Sequence, residues 1–222
     1  MAKNSATRMI TGKVRASYFY GITPANDKDD DGNETIWYRT QIIINKSDKD
    51  TLTRMKACIE AAMLEAVAKK WNGVKPAKLA LPLRDGDKET TEDGEPLDPA
   101  VYGGKWFMNI KTKDKPGVLG PDQEPPYLRD AGGNPRVDPQ QGGFLYDPQA
   151  IVSGDFIRVS LNFYGYAVKG KKGISGGLNN IQLISKGTPL GNKSRAEDDF
   201  KGGFVDDEAE TESADPLADL LD

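Results

Sequence analysis

GDFIRVSLNFYGY, residues 154–166, decides the fold. Successive side chains of a strand point to opposite faces. Ile157, Val159, Leu161 and Phe163 therefore share one side of this stretch, and Arg158, Ser160, Asn162, Tyr164 and Tyr166 the other. β-branched and aromatic residues at period two predict a long strand from Asp155 to Val168, with one face for a core and one bearing rings, amides and a cation.

The same division repeats outward along the chain. Between Lys105 and Lys113, Trp106, Met108 and Ile110 form the apolar side, opposite Lys105, Phe107, Asn109, Lys111 and Lys113. From Ile36 to Ile44, Ile36, Tyr38, Ile42 and Ile44 oppose Trp37, Arg39 and Gln41. In an earlier strand, Ile10 to Tyr20, Lys13, Arg15 and Phe19 share a face. A last strand is expected near Leu178 to Ile184, after a Gly- and Lys-rich turn holding Lys169, Lys171 and Lys172 that reads as a mobile basic loop. Between Asp48 and Lys70 the period changes. Leu52, Met55, Ile59, Met63 and Val67 recur at three- and four-residue steps, which predicts one amphipathic helix capped by Ser47. A short apolar piece at Leu79 to Leu83, an acidic loop from Asp85 to Asp98 and a Pro- and Gly-rich excursion from Pro116 to Pro148 complete the body. The expected class is mainly β: about five strands, one helix and long loops in a small barrel.

Charge is segregated. Residues 197–222 hold 11 acidic side chains against Lys201 alone, whereas residues 1–196 carry 29 Lys and Arg against 23 Asp and Glu. A body of +6 thus carries a tail of −10, and the net −4 hides a basic working surface. The expected division is a folded domain at 1–190 and a disordered acidic tail at 191–222, because the tail holds too little apolar surface to offset its ordering entropy. Such a tail can occupy a cationic groove until a polyanion displaces it.

Four strands that each present cations interleaved with a ring match the chemistry of single-stranded nucleic acid, in which phosphates meet Lys and Arg while unpaired bases stack on aromatic side chains. The competing reading is that the cations solvate the outer face while Phe107 and Trp37 cover a second small core beneath the loops. The candidate site comprises Lys13, Arg15, Phe19, Trp37, Arg39, Lys105, Phe107, Lys111, Lys113, Arg158, Tyr164, Tyr166, Lys169, Lys171 and Lys172.

Other chemistries are poorly served. The chain has no histidine, which removes Ser-His and Cys-His nucleophile pairs and His-ligated zinc. Cys58 is the single cysteine, expected as a small buried hydrophobe. Asp27, Asp29, Asp31 and Gly32 fit the first positions of a calcium loop, but Tyr38 stands where the bidentate Glu belongs. Asp85, Asp87 and Glu89 are the one constellation for a magnesium nuclease, although Gly86 between two aspartates also suits a turn. GTPLGNKS, residues 187–194, has Asn192 between Gly191 and Lys193 and is too short for a phosphate-binding loop. No catalysis, metal or cofactor is expected. Nor is a membrane span: no apolar run approaches ~18 residues, and the N-terminus lacks a secretory stretch.

Several segments in order, LPLRDGD (81–87), GGKWFMNIKTKDKPGV (103–118), GDFIRVSLNFYGY (154–166) and KGKKGISGGLNNIQLI (169–184), followed by GTPLG and AEDDF, resemble the phage-encoded single-stranded DNA-binding proteins with an OB-fold. The resemblance spans Arg8 to Phe200. It implies a five-stranded OB barrel and sequence-tolerant coating of single-stranded DNA in the host cytoplasm during phage replication or recombination. It also implies an acidic tail that contacts replication or recombination proteins, here through Asp198, Asp199, Phe200, Asp206, Asp207, Glu208, Asp219, Leu220, Leu221 and Asp222. Related tails often end in an aromatic residue, whereas this one ends Asp-Leu-Leu-Asp. Association into homo-oligomers is compatible with the sequence. The alternatives are a phage structural or protein-interaction module and, more remotely, the magnesium nuclease.

Overall fold

The computed structural model describes residues 6–28, 32–139 and 142–191. In chain order the elements are β1 (Arg8–Ile10), β2 (Val14–Lys28), β3 (Glu34–Asn45), α1 (Lys49–Lys69), β4 (Arg84–Asp85), α2 (Pro99–Tyr102), β5 (Lys105–Thr112), β6 (Gly117–Leu119), β7 (Phe156–Val168) and β8 (Lys171–Ser185). The fold is mainly β. Among the described residues eight strands and two helices stand against the expected five or so and one: β1, β4, β6 and α2 are two to four residues long, too short to show a period.

The strands run β1-β7-β2-β3-β5-β8-β6, with β4 on β5, and β7 also pairs with β8. Hydrogen-bonded neighbours therefore lead from β7 through β2, β3, β5 and β8 back to β7. All of these pairings are antiparallel except β5 with β8, which is parallel. The interior follows the alternation read from the sequence: Ile157, Val159, Leu161 and Phe163 of β7 are buried against Ile42 and Ile44 of β3 and Met108 and Ile110 of β5. Burying each such side chain fully is worth about 1.5–3 kcal/mol. Two expected core residues lie outside it. Ile36 is exposed near the start of β3, and Trp106 is half-buried near the start of β5.

Helix α1 buries Met55, Cys58, Ile59, Ala62 and Ala66. This single stripe is what the three- and four-residue spacing dictates. Its cap is Asp48 rather than Ser47: Thr51 N donates to Asp48 Oδ1 at 3.1 Å, and Thr51 Oγ1 accepts from Gly12 N at 2.9 Å, fixing the helix start to the bend between β1 and β2. At the other end Lys70 Nζ donates to Gly165 O at 2.8 Å and Trp71 Nε1 to Tyr166 O at 3.1 Å, which docks the helix on β7. Cys58 is buried, and burial raises its thiol pKa.

The expected acidic loop from Asp27 to Glu34 gives up its ends to the sheet: Asp27 and Lys28 close β2 and Glu34 opens β3, Lys28 pairing with Glu34 and Asp27 with Thr35. The Gly- and Lys-rich turn is also shorter than expected. Val168 pairs with Lys171, so only Lys169 and Gly170 lie between β7 and β8, both at positive φ, 46° and 76°. Two central residues at positive φ match the right-handed twist of a hairpin, and the lysines are held at its tip rather than on a mobile loop. Gly173, Gly176 and Gly177 belong to β8. A Cβ on Gly176 would stand 2.6 Å from Met108 Cε, so its bareness lets β5 and β8 close up. The 116–148 excursion contains β6 and isolated bridges Tyr127–Tyr146, Arg129–Pro135 and Val137–Phe144. No helix among the described residues is long and apolar enough to cross a membrane. The tail residues named above, from Asp198 to Asp222, lie outside the described residues.

Candidate nucleic-acid interface

The outer face of β2, β3 and β5 forms a groove of about 440 Å³ lined by Tyr18, Tyr20, Arg39, Thr40, Gln41, Asn109, Ile110 and Lys111. A bulge in β2 makes it. Ser17 pairs with Gln41 and Tyr20 with Arg39, so three steps on β2 answer two on β3. Tyr18 absorbs the extra residue at φ 46° and is 65% exposed; Tyr20 is 40% exposed. The bulge reverses the alternation, which corrects one expectation: Phe19, expected outside with Lys13 and Arg15, is half-buried against the core. Both tyrosines take the outer face instead. The run Tyr18-Phe19-Tyr20 was the available signal, since three successive rings cannot share one face of a regular strand.

Arg39 lies opposite Lys111 and Gln41 opposite Asn109, all on this face. Arg39 Nη1 donates to Asp27 Oδ2 at 3.1 Å, and its guanidinium carbon lies 5.3 Å from the Tyr20 ring centre. Gln41 is fixed from two sides: its Nε2 donates to Asn109 Oδ1 at 3.2 Å, and its Oε1 accepts from Tyr102 Oη at 2.7 Å. Trp37 is half-buried, with Lys111 Nζ 4.1 Å and Lys113 Nζ 5.2 Å from its ring. Trp37, Arg39, Lys111 and Lys113 thus come together as the alternation predicted. Tyr18, Tyr20 and Tyr102 are the rings the alternation missed.

At the other end the groove is covered. Phe107 does point outward, yet it is 2% exposed because Tyr102 packs edge-on at 5.0 Å and Arg84 lies 4.4 Å from its ring. The expected base-stacking role of Phe107 is therefore corrected: it belongs to the small outer core weighed as the competing reading. Burial raises the Tyr102 hydroxyl pKa. Lys105 is taken up here too, its Nζ donating to Gly103 O at 3.1 Å.

The cover is pinned by Lys46, whose Nζ donates to Asp85 Oδ1 and, at 2.6 Å, to Asp87 Oδ2. Asp87 Oδ1 accepts from Gly104 N at 2.8 Å. These bonds hold both carboxyls below the usual aspartate range and raise the Lys46 ammonium pKa. Asp85 and Asp87, the nuclease candidates, thus face an ammonium and serve as a loop clamp. Asp27, from the calcium reading, is the partner of Arg39.

The remaining candidates are dispersed. Arg15 ties β2 to the residue stretches before β7 and after β8, donating to Gly154 O at 3.3 Å and Thr188 O at 2.8 Å. Lys13 lies 4.3 Å from the Phe156 ring. Tyr164 is 37% exposed on β7, with Lys70 Nζ 6.0 Å from its ring, and half-buried Tyr166 pairs with Gly173. Lys169, Lys171 and Lys172 are exposed at the hairpin tip. Arg158, also exposed, donates from Nε to Thr11 O at 3.2 Å and lines a different groove, described below.

Exposed rings set among cations across paired strands, with amides between, is the arrangement of a protein that takes unpaired nucleic acid rather than a small substrate. The chain belongs to the family of the Enterobacter phage Enc34 ssDNA-binding protein, whose family model matches residues 7–213. No curated protein matches it. Among solved structures it is similar to the single-stranded DNA-binding protein from bacteriophage Enc34 in complex with ssDNA, at 18% identity and a TM-score of 0.61 over 83% of this chain and 90% of that one. It is also similar to the C-terminal truncation of that protein, at 18% identity and a TM-score of 0.59 over 83% and 89%.

Proposed function

We propose that this chain coats single-stranded DNA without regard to sequence during phage DNA replication or recombination, with no catalytic step. The observation that carries this reading is the row Tyr20–Arg39–Lys111 beside Trp37: two rings and two cations on neighbouring strands, within a family of ssDNA-binding proteins. The circuit β7–β2–β3–β5–β8–β7, with its one parallel junction, supports a closed OB barrel as the frame, formed by residues 1–190. Residues 191–222 act as an acidic tail that competes with DNA for the cations and docks replication or recombination proteins, a role supported by the segregated charge. The site of action is the host cytoplasm.

The test is intrinsic Trp fluorescence during titration with a ~30-nucleotide single strand and its duplex at two salt concentrations, long enough for one OB unit that covers roughly 4–16 nucleotides. Saturable, salt-sensitive quenching that is weaker with duplex is expected. Absence of binding to either, checked by gel shift, refutes the reading in favour of a protein-interaction module. Deleting residues 197–222 is expected to tighten binding most at low salt, where screening is weakest; equal affinity at low salt removes the competitor role of the tail.

A further inference from the structure

A second groove, of about 430 Å³, lies on the outer face of β7 and β8 between β1 and β6. Ile10, Val118, Leu119, Pro125 and Ile181 give it apolar walls, Tyr146 a ring, and Ser160, Asn180 and Gln182 polar groups. Arg8 and Arg158 supply its charge: Arg8 Nη2 donates to Ser160 Oγ at 3.2 Å, and the exposed Arg158 is anchored through Nε to Thr11 O. Its lining includes no carboxylate, and neither does that of the Tyr18–Lys111 groove. The grooves beside residues 26–36, along 120–129 and around Asp138 each contain at least one. Two depressions therefore share one lining chemistry, a pair of cations, tyrosine and amides without a carboxylate, with Asp27 pairing Arg39 at the edge of the first.

Strand register joins them. Tyr20 pairs with Arg39, Arg39 with Lys111, Lys111 with Gly177, Gly177 with Asn162, and Asn162 with Arg8. This line crosses β2, β3, β5, β8, β7 and β1 on the outer face, from the first groove to the rim of the second. Five steps of about 4.8 Å make about 24 Å, the length of about seven nucleotides stacked at ~3.4 Å each. Midway, Gly177 brings no side chain of its own. The Asn162 amide oxygen lies 3.0 Å and the edge of the Tyr164 ring 3.4 Å from where a Cβ would stand, so an amide and a half-exposed ring flank the crossing.

We propose that the single strand held at Tyr18, Tyr20, Arg39 and Lys111 continues over Gly177 and Tyr164 into the second groove, where Arg8 and Arg158 take its phosphates. This rests on the proposed function and deepens it: the footprint is extended, and the β1–β6 groove is part of it. The occupant is the same strand rather than a peptide because the two grooves match in charge and the line between them is continuous.

The experiment compares a ~5-nucleotide with a ~12-nucleotide oligodeoxythymidylate, one able to fill only the first groove and one able to reach the second, within the usual span of an OB unit. Affinity is measured against salt for the wild-type chain and for Arg8→Gln and Gln182→Glu. Each phosphate contact contributes about 0.7 to the slope of log K against log salt for single strands. Arg8→Gln is expected to flatten the slope for the long strand by about 0.7 and leave the short one unchanged. Gln182→Glu, which removes no bond of Arg8, is expected to weaken only the long strand. Unchanged long-strand affinity and slope in both variants overturns the extended path while leaving the first groove standing. If the wild-type chain binds neither strand, the proposed function itself fails, and the extension with it. Equal weakening of both strands, with unchanged thermal melting, also overturns it, because the second groove would then not be a separate stage of the path.

Discussion

Replacing Trp37 by alanine separates stacking from charge at the first groove. The ring lies 4.1 Å from Lys111 Nζ and 5.2 Å from Lys113 Nζ, so a base that stacks on it must first displace an ammonium. Stacking on an aromatic side chain is worth about 1–3 kcal/mol per base, and an exposed cation–π contact about 0.5–1 kcal/mol. The net loss expected for Trp37→Ala is about 1–2 kcal/mol, or roughly 5- to 30-fold in Kd. Both lysines remain, so the salt slope should not change. Lys111→Gln is the converse: it should flatten the slope by about 0.7 through loss of one phosphate contact. The assay is fluorescence anisotropy of a labelled oligonucleotide across a salt series. Intrinsic fluorescence adds a second readout: Trp71 is 1% exposed, and of the two half-buried indoles Trp106 lies beside the Lys46 clamp whereas Trp37 adjoins the Arg39–Lys111 row. Trp37→Phe should therefore abolish most of the quenching while retaining much of the affinity. Affinity within twofold of wild type in Trp37→Ala, with quenching retained in Trp37→Phe, would refute the stacking platform.

Phe107→Ala is expected to cost about 3–5 kcal/mol of stability, the usual range for a buried phenylalanine, with DNA affinity of the folded protein unchanged; chemical denaturation and binding at a temperature well below the melt check both halves. The Lys46 clamp gives acid sensitivity of a defined sign. Asp85 and Asp87 are held below their ordinary range when folded, so their contribution is complete above the unfolded aspartate pKa, near 3.9, and is lost as pH falls through the lowered folded values. Lys46→Met should flatten that part of the stability profile, as followed by thermal melts from neutral pH downward. Gly165→Ala places a methyl 2.2 Å from Ala66 Cβ, and the overpacking is expected to destabilise by about 1–3 kcal/mol as α1 is pushed off β7; an unaltered melting temperature would show that the helix has room to move.

What was legible in the sequence was what a regular period can encode. The apolar residues of β7 recur at every second position from Ile157 to Phe163 and all four are buried as read, while Ser160 among them is also buried, bonded by Arg8. α1 repeats its stripe over about four turns, so its existence and buried side are plain, while its cap shifts by one residue because Ser47 and Asp48 are both good acceptors. Trp37, Arg39, Lys111 and Lys113 were placed together because β3 and β5 pair without a shift from Tyr38 to Asn45. The failures occur where period two stops. Beyond Ser17 the bulge exchanges inside for outside, so period two puts Phe19 on the wrong face and hides Tyr18 and Tyr20. Period two gives Phe107 its correct face, but Tyr102 and Arg84 come from segments too short or too irregular to place by pattern. The division of the cations between two grooves depends on where β1 and β6 lie, and strands of three residues carry no register of their own.

The bulge in β2 leaves three adjacent rings in two different solvents. Exchanging tyrosine and phenylalanine is accordingly not one substitution at these sites. At Tyr18 and Tyr20 a hydroxyl meets water and can be gained or lost with little consequence for folding, whereas at Phe19 it would enter the core without a partner. A library randomised over residues 18–20 and selected for folding alone would therefore hold position 19 to apolar residues, restrict position 18 to residues that tolerate its positive φ, and leave position 20 open. Selection for binding would add pressure on those neighbours. The two selections would read the same tripeptide in complementary ways.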